Sequence, residues 1–284
     1  MDEGGAGVER SGWTEQVGGV AVESFGSGPG VVVVPGTNRR AHHYASLARA
    51  LAGAHTVHVV ERRGRGESSP RGTSYSVETD VDDVLEVLER TGSRVVFGHS
   101  YGGLIALHAG LRQALDALIV YEPGVSLDGS FDLGWLEAFR RKVDDGRFVS
   151  AMTTFLKRTE LLPFRATPLL WAISVLLLFG REERDLMPLT PAELGEIARL
   201  DSDGTRYAGI TSPTLLLGGS KTPEYLTGVL PRLAALLPKA EYAILPDLDH
   251  NAPDESAPDE IARQLRLYLV RAERHGYDAG VSSV

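Results

Sequence analysis

The sequence predicts an α/β chain: a doubly wound, mostly parallel sheet with a helical insertion. Three observations carry that expectation. Short apolar runs alternate with helix-patterned segments along most of the chain. Most of these runs are continuous rather than alternating, as in parallel strands buried on both faces. One interval, about residues 128–208, breaks the rhythm with helical patterns, Pro163, Pro168 and Pro188, and no convincing strand. Strand–helix alternation with right-handed crossovers places the ligand site beyond the carboxyl ends of the strands. The expected division is a sheet core from 1–127 and 209–284, with 128–208 as a helical cap over the strand ends.

The strands expected are "GVVVVPG" (30–36), "HTVHVVE" (55–61), "RVVFGHS" (94–100), "DALIVYEPG" (116–124), "TLLLGGS" (214–220) and "EYAILPD" (241–247). Between them, Val77, Val81, Val84, Leu85 and Leu88 repeat at helical spacing, with Glu78 and Asp80 placed to favour the helix dipole. Leu104, Ile105, Leu107 and Leu111 mark a helix after the third strand, and Tyr225 to Leu237 form one later. A last helix starts at Pro258, a residue suited to the first helical position. The apolar stretch "LLWAISVLLLF" (169–179) is too short for a bilayer, which takes about 20 residues, and is expected as a buried or pocket-lining helix. Only the two Gly/polar termini look loosely ordered.

Composition narrows the function. The 284 residues carry a formal net charge of −9 and no Lys/Arg block beyond Arg62, Arg63 and Arg65, which argues against nucleic acid as a partner. There is no cysteine, so disulfides, thiolate metal sites and cysteine nucleophiles are excluded. The N-terminus is acidic and Gly-rich with no signal-like segment, so a cytoplasmic protein without stable membrane insertion is expected. A small-molecule substrate is the expected partner, and a homodimer is left open.

Gly98-His99-Ser100-Tyr101-Gly102 matches G-x-S-x-G between a strand and a helix. That spacing builds a sharp turn that lifts the serine hydroxyl clear, with glycines where strand and helix backbones nearly touch. A serine hydroxyl needs an adjacent base. Of the eight histidines, His55, His58 and His108 lie in strand or helix patterns, His99 is expected to pack inside the elbow, and His42 and His43 could line a pocket. His250 follows the last strand in "PDLDHNAP", at the carboxyl edge of the sheet, and is the candidate base for Ser100.

Order and spacing now carry a resemblance. "VVVVPGT", "ERRGRGES", "GHSYGG", "IVYEPG", "TLLLGGS" and "LPDLDH" together resemble the α/β-hydrolase fold over nearly the whole length. Many members of that family place an acid after the strand that here reads "PTLLLGGSKTPEY", but this loop holds Ser220 and Lys221. Some branches carry the acid one strand earlier, where this chain has Glu122. The resemblance therefore implies a triad Ser100, Glu122 and His250, with Asp249, Asp247 and Glu224 as the other carboxylates in reach. It implies an oxyanion hole from the backbone N–H groups of Tyr101 and Thr37, to which the Asn38 side chain could add.

The arginines of "ERRGRGES" are expected to be structural or solvated rather than a binding site for an anionic substrate. No spacing matches a metal-ligand motif, and no nucleotide-binding glycine loop follows a strand, so no metal or cofactor is expected. The function expected is a cofactor-independent serine hydrolase of an ester or related acyl bond in a small to medium, largely apolar molecule. A thioesterase, or a lyase, cyclase or binding protein reusing the pocket, are the alternatives. The cap aromatics Trp135, Phe139, Phe155, Phe164, Trp171 and Phe179 suit either an apolar pocket or the cap's own packing.

Overall fold

The computed structural model describes residues 13–281. The chain opens with an antiparallel hairpin, β1 (Trp13–Val17) and β2 (Val20–Gly26). Then follow β3 (Gly30–Val34), α1 (Ala45–Leu51), β4 (Thr56–Glu61) and α2 (Val77–Thr91). β5 (Val95–His99), α3 (Tyr101–Arg112) and β6 (Ala117–Tyr121) complete the first half. An all-helical interval comes next: α4 (Leu136–Asp144), α5 (Phe148–Thr159), α6 (Thr167–Leu177), α7 (Arg181–Leu186) and α8 (Thr190–Arg199). The chain returns to the sheet with β7 (Thr214–Gly219), α9 (Glu224–Thr227), α10 (Val229–Leu236), β8 (Ala240–Leu245) and α11 (Pro258–Val281).

The eight strands lie in the order β1-β2-β4-β3-β5-β6-β7-β8, with β1, β2 and β4 joined antiparallel and every other pair parallel. After β3 the chain moves outward to β4. It then crosses back to β5 and continues to β6, β7 and β8. The loops leaving β3 and β5 thus diverge, which opens a crevice at their carboxyl ends. The central strands are continuous apolar runs because both faces are covered. Val31 and Val33 pack with Leu47 and Leu51 of α1 and Ile261 and Leu265 of α11. Val32 and Val34 face the opposite core, with Val81, Val84, Leu104 and Leu230.

The structure departs from the sequence expectations in three places and decides between two readings in a fourth. The β1–β2 hairpin was not anticipated, although Gly18-Gly19 between two strand-length runs is a two-residue hairpin signal and Gly18 adopts φ 53°. The helix expected over Tyr225–Leu237 is divided at Gly228 into α9 and α10. Helix α11 continues to Val281, into the terminus expected to be loose, while residues 1–12 and 282–284 lie outside the described residues. Residues 169–179 meet the pocket-lining alternative rather than the buried one, with Ile173 and Leu177 lining a cavity. Leu170, Ser174 and Leu178 are buried, but Trp171 is 55% exposed, Leu176 74% and Phe179 86%. Among the described residues no helix is long and apolar enough to cross a membrane.

Candidate active site

Ser100 sits between β5 and α3 at φ 55° and ψ −122°, a conformation rarely held by a residue with a side chain. The turn is held by its neighbours. Ser100 N–H donates to Tyr121 O at 3.0 Å, and Gly103 N–H and Gly124 N–H both donate to Ser100 O at 2.8 Å. The flanking glycines are required by close approach. A Cβ on Gly102 would lie 2.0 Å from Val34 O, and one on Gly98 would lie 2.3 Å from Gly102 O.

Glu122 follows β6, fully buried, at φ 46°. Its Oε2 accepts from His250 Nδ1 at 2.6 Å, and its Oε1 accepts from Gly219 N–H at 2.7 Å. The loop after β7, which holds no acid, instead donates a backbone N–H to the acid of the neighbouring strand. With Nδ1–H committed to Glu122, the lone pair of His250 lies on Nε2. His250 and Ser100 line the same cavity. No direct hydrogen bond joins Ser100 Oγ to His250 Nε2 among the described residues.

The loop carrying His250 is pinned by the residues that precede the serine and the acid. His99 Nε2–H donates to His250 O at 2.9 Å, and Tyr121 O–H donates to Asp249 O at 2.7 Å. His99 Nδ1 accepts from Tyr44 O–H at 2.6 Å, and Tyr44 in turn accepts from Gly36 N–H at 3.1 Å. One directed chain of hydrogen bonds therefore joins the loop after β3, the elbow and the His250 loop. It requires a neutral His99 ring. Burial, helped by the charges of His250 and Arg39, holds His99 well below the ordinary histidine range.

Gly36 lies against the serine, since a Cβ there would meet Ser100 Cβ at 3.1 Å. The next residue, Thr37, lines the cavity. Among the described residues, neither Thr37 N–H nor Tyr101 N–H donates to a protein acceptor. Tyr101 is the first residue of α3, where an N–H has no intrahelical partner. Asn38, at φ 55°, turns its Oδ1 to the Thr190 hydroxyl at 2.6 Å.

The cavity in front of Ser100 measures about 510 Å³. One wall is apolar and comes from α5 and α6: Met152, Phe155, Leu156, Ile173 and Leu177. The other is polar and includes Arg39, His43, Glu182, Asn251 and Asp254. Of the six aromatics weighed from the sequence, only Phe155 reaches the cavity. Trp135 and Phe139 are buried in the core, and Phe164, Trp171 and Phe179 are exposed.

The remaining candidates fall outside this arrangement. Asp249 Oδ1 accepts from Asn251 N–H and the Ser256 hydroxyl, Asp247 pairs with Lys221, and Glu224 begins α9. His58 bonds Ser24, and His108 bonds Glu78. Arg62 and Arg65 are buried on Glu193, and Arg63 forms a paired contact with Asp83. His42, His43 and Glu182 bring ligand-type atoms within 4.8 Å of one another, a grouping that sequence spacing does not reveal because Glu182 comes from α7. His43 Nδ1 accepts from Arg40 N–H at 3.0 Å, so its neutral ring carries hydrogen on Nε2, and Arg40 Nη1 lies 3.3 Å from Glu182. That geometry suits hydrogen bonds to a carboxylate better than a bound cation.

Residues 31–264 match the alpha/beta hydrolase family. A pimeloyl-[acyl-carrier protein] methyl ester esterase of Chromobacterium violaceum is 29% identical over 256 residues, covering 87% of this chain and 97% of that protein. A lipase of Mycobacterium tuberculosis is 30% identical over 115 residues, 38% of this chain and 43% of its own. Among solved structures, an alpha/beta hydrolase from Sphaerobacter thermophilus superposes with a TM-score of 0.75 at 28% identity, covering 89% of this chain and 98% of that one.

Proposed function

The chain belongs to the alpha/beta hydrolase family, and from that premise we propose that it is a cofactor-independent serine hydrolase of esters of small to medium, largely apolar molecules. The observation that carries the reading is the buried 2.6 Å contact between Glu122 Oε2 and His250 Nδ1, beside the cavity that Ser100 also lines. The esterase and lipase among its relatives support the same class of bond.

In this mechanism Ser100 Oγ attacks the ester carbonyl carbon while His250 Nε2 takes its proton. Glu122 holds the imidazole in the Nδ1–H tautomer and stabilises its charged form. The carbonyl oxygen, now an oxyanion, accepts from the N–H groups of Thr37 and Tyr101. Collapse of the tetrahedral adduct breaks the bond to the alkoxy group, which leaves as an alcohol with the proton from His250. The acyl-serine is then attacked by water, with His250 again accepting a proton and returning it to Ser100. The apolar wall from α5 and α6 suits an acyl chain, and residues 128–208 act as a cap that supplies this wall.

Turnover of p-nitrophenyl esters of increasing chain length tests the reading. The wild type should hydrolyse short to medium chains, and Ser100→Ala should lower kcat by about 10³-fold or more. Near-normal turnover in Ser100→Ala rules out the acyl-enzyme route.

A further inference from the structure

Arg62 is a buried charge that the mechanism above leaves unused. Its side chain is 1% exposed, yet it reaches both sides of the candidate oxyanion hole. Nη2–H donates to Gly36 O at 2.9 Å. The guanidinium carbon lies 5.1 Å from the centroid of the Tyr101 ring. Gly36 O and Thr37 N–H belong to one planar, trans peptide unit, so the two bonds point in opposite directions. Holding the carbonyl on Arg62 therefore turns the Thr37 N–H away from Arg62. Thr37 lines the cavity and Arg62 does not, so the N–H is aimed to the cavity side. The positive charge also polarises that peptide and strengthens its N–H as a donor.

The other arm of Arg62 leaves the sheet core. Nη1–H donates to Glu193 Oε1 at 3.0 Å and to Asp80 Oδ2 at 3.2 Å. Glu193 is fully buried on α8, inside the helical insertion, and also takes Arg65 Nη2–H at 2.6 Å and Arg71. Burial opposes the charge of Arg62, but Glu193 and Asp80 outweigh it and hold the guanidinium above its ordinary range. Three arginines here face two carboxylates, Glu193 and Asp80. Arg62 is the one of the three that joins both carboxylates, and its second nitrogen holds the Gly36 carbonyl. A second tie reaches the same loop from the same helix, the Thr190 hydroxyl on Asn38 Oδ1.

We propose that Arg62 is a positioning residue for the oxyanion hole: it aims the Thr37 N–H, braces Tyr101, and makes that aim depend on the seating of α8 through Glu193. The inference rests on the serine-hydrolase reading, and the two fail differently. If wild-type and Ser100→Ala proteins turn over p-nitrophenyl butyrate equally, the hydrolase reading fails whatever Arg62 does.

The test compares Arg62→Met, Arg62→Lys, Glu193→Gln and the Arg62→Met/Glu193→Gln double variant on p-nitrophenyl butyrate. Each is also titrated with a trifluoromethyl ketone that forms a tetrahedral adduct on the serine. Arg62→Met should lower kcat about 10- to 100-fold with KM changed less than about threefold, since a mis-aimed donor costs less than a deleted one. Affinity for the ketone should fall by the same factor as kcat. Arg62→Lys should recover part of the loss, because one ammonium can reach the carbonyl but cannot fork to Glu193. The double variant should be no slower than Arg62→Met, as expected when both residues act along one route. Unchanged kcat in folded Arg62→Met, or a loss confined to KM, overturns the proposal, as does additivity in the double variant. Should Arg62→Met fail to fold by circular dichroism, Glu193→Gln decides alone: a kcat loss at unchanged KM supports the proposal, and wild-type kcat refutes it.

Discussion

Glu122 stands at φ 46° with both carboxylate oxygens occupied, one by His250 and one by Gly219. A non-glycine residue held there costs of order 1–3 kcal/mol, so its neighbours must fix it firmly. Replacing it by glutamine keeps the shape but removes the charge and the tautomer it enforces. If the proposed triad holds, Glu122→Gln lowers kcat by about 10³- to 10⁴-fold, the cost of losing the triad acid in serine hydrolases. Asp249→Asn should cost far less, because its carboxylate serves Asn251 and Ser256. Parallel kcat measurements on the two variants check the ranking. A second expectation concerns pH. Burial, followed by the charges of Arg39 and His42, pushes His43 down to about 4, and burial also holds His99 well below the ordinary histidine range. The unfolded chain protonates a histidine below about pH 6.5, so the stability tied to the neutral His43 ring is complete above that pH and lost as pH falls towards 4. The His43 ring contributes a slope of up to about 1.4 kcal/mol per pH unit in that window. Urea midpoints for His43→Gln should decline less steeply than wild type between pH 6.5 and 4. Ser100 and His250 were legible in the sequence because a motif and a loop position mark them. Arg62 was legible only as a structural or solvated charge, since its partner Glu193 comes from a helix no local pattern joins to it.

Among the elements, the elbow is the one whose sequence and structure agree most closely. Gly98 stands where β5 meets the backbone of α3, and Gly102 where α3 meets the end of β3 and Pro35. Gly102→Ala places a Cβ 2.0 Å from Val34 O, with backbone rather than a flexible side chain on the far side. The loss of stability should reach about 3 kcal/mol, read as a lower denaturation midpoint, with kcat falling in the protein that remains folded. Parallel strands were legible because full burial makes continuous apolar runs. The β1–β2 hairpin escaped because its strands are short and mixed, although Gly18-Gly19 marks the turn. Helix α6 was legible only in part: its composition is apolar all round, and composition cannot say which face meets the cavity. Ile173 and Leu177 line it, while Trp171 and Leu176 face outward. Replacing Leu176 or Phe179 by serine should shift stability by no more than about 0.5 kcal/mol, because neither is buried.

In the whole molecule, the insertion and the sheet share one apolar cluster. Phe139, Val143 and Met152 of the insertion join Val96, Leu104 and Leu230 of the core without a break. Unfolding should accordingly be a single transition, with calorimetry and tryptophan fluorescence coinciding; an early, separate transition of the insertion would contradict a shared core. The fold class was legible from strand–helix alternation alone. The insertion's mode of attachment was not, because buried ion pairs across distant segments leave no periodicity. The arrangement as a whole makes one chemical claim: Ser100 is a nucleophile activated by His250 and Glu122. Labelling with a fluorophosphonate, followed by intact mass and peptide mapping, tests it most directly. The triad reading predicts one adduct, on Ser100, absent in Ser100→Ala and formed far more slowly in His250→Ala and Glu122→Gln. Labelling of Ser100 at the wild-type rate in both of the latter variants, or no adduct on Ser100 at all, would contradict it.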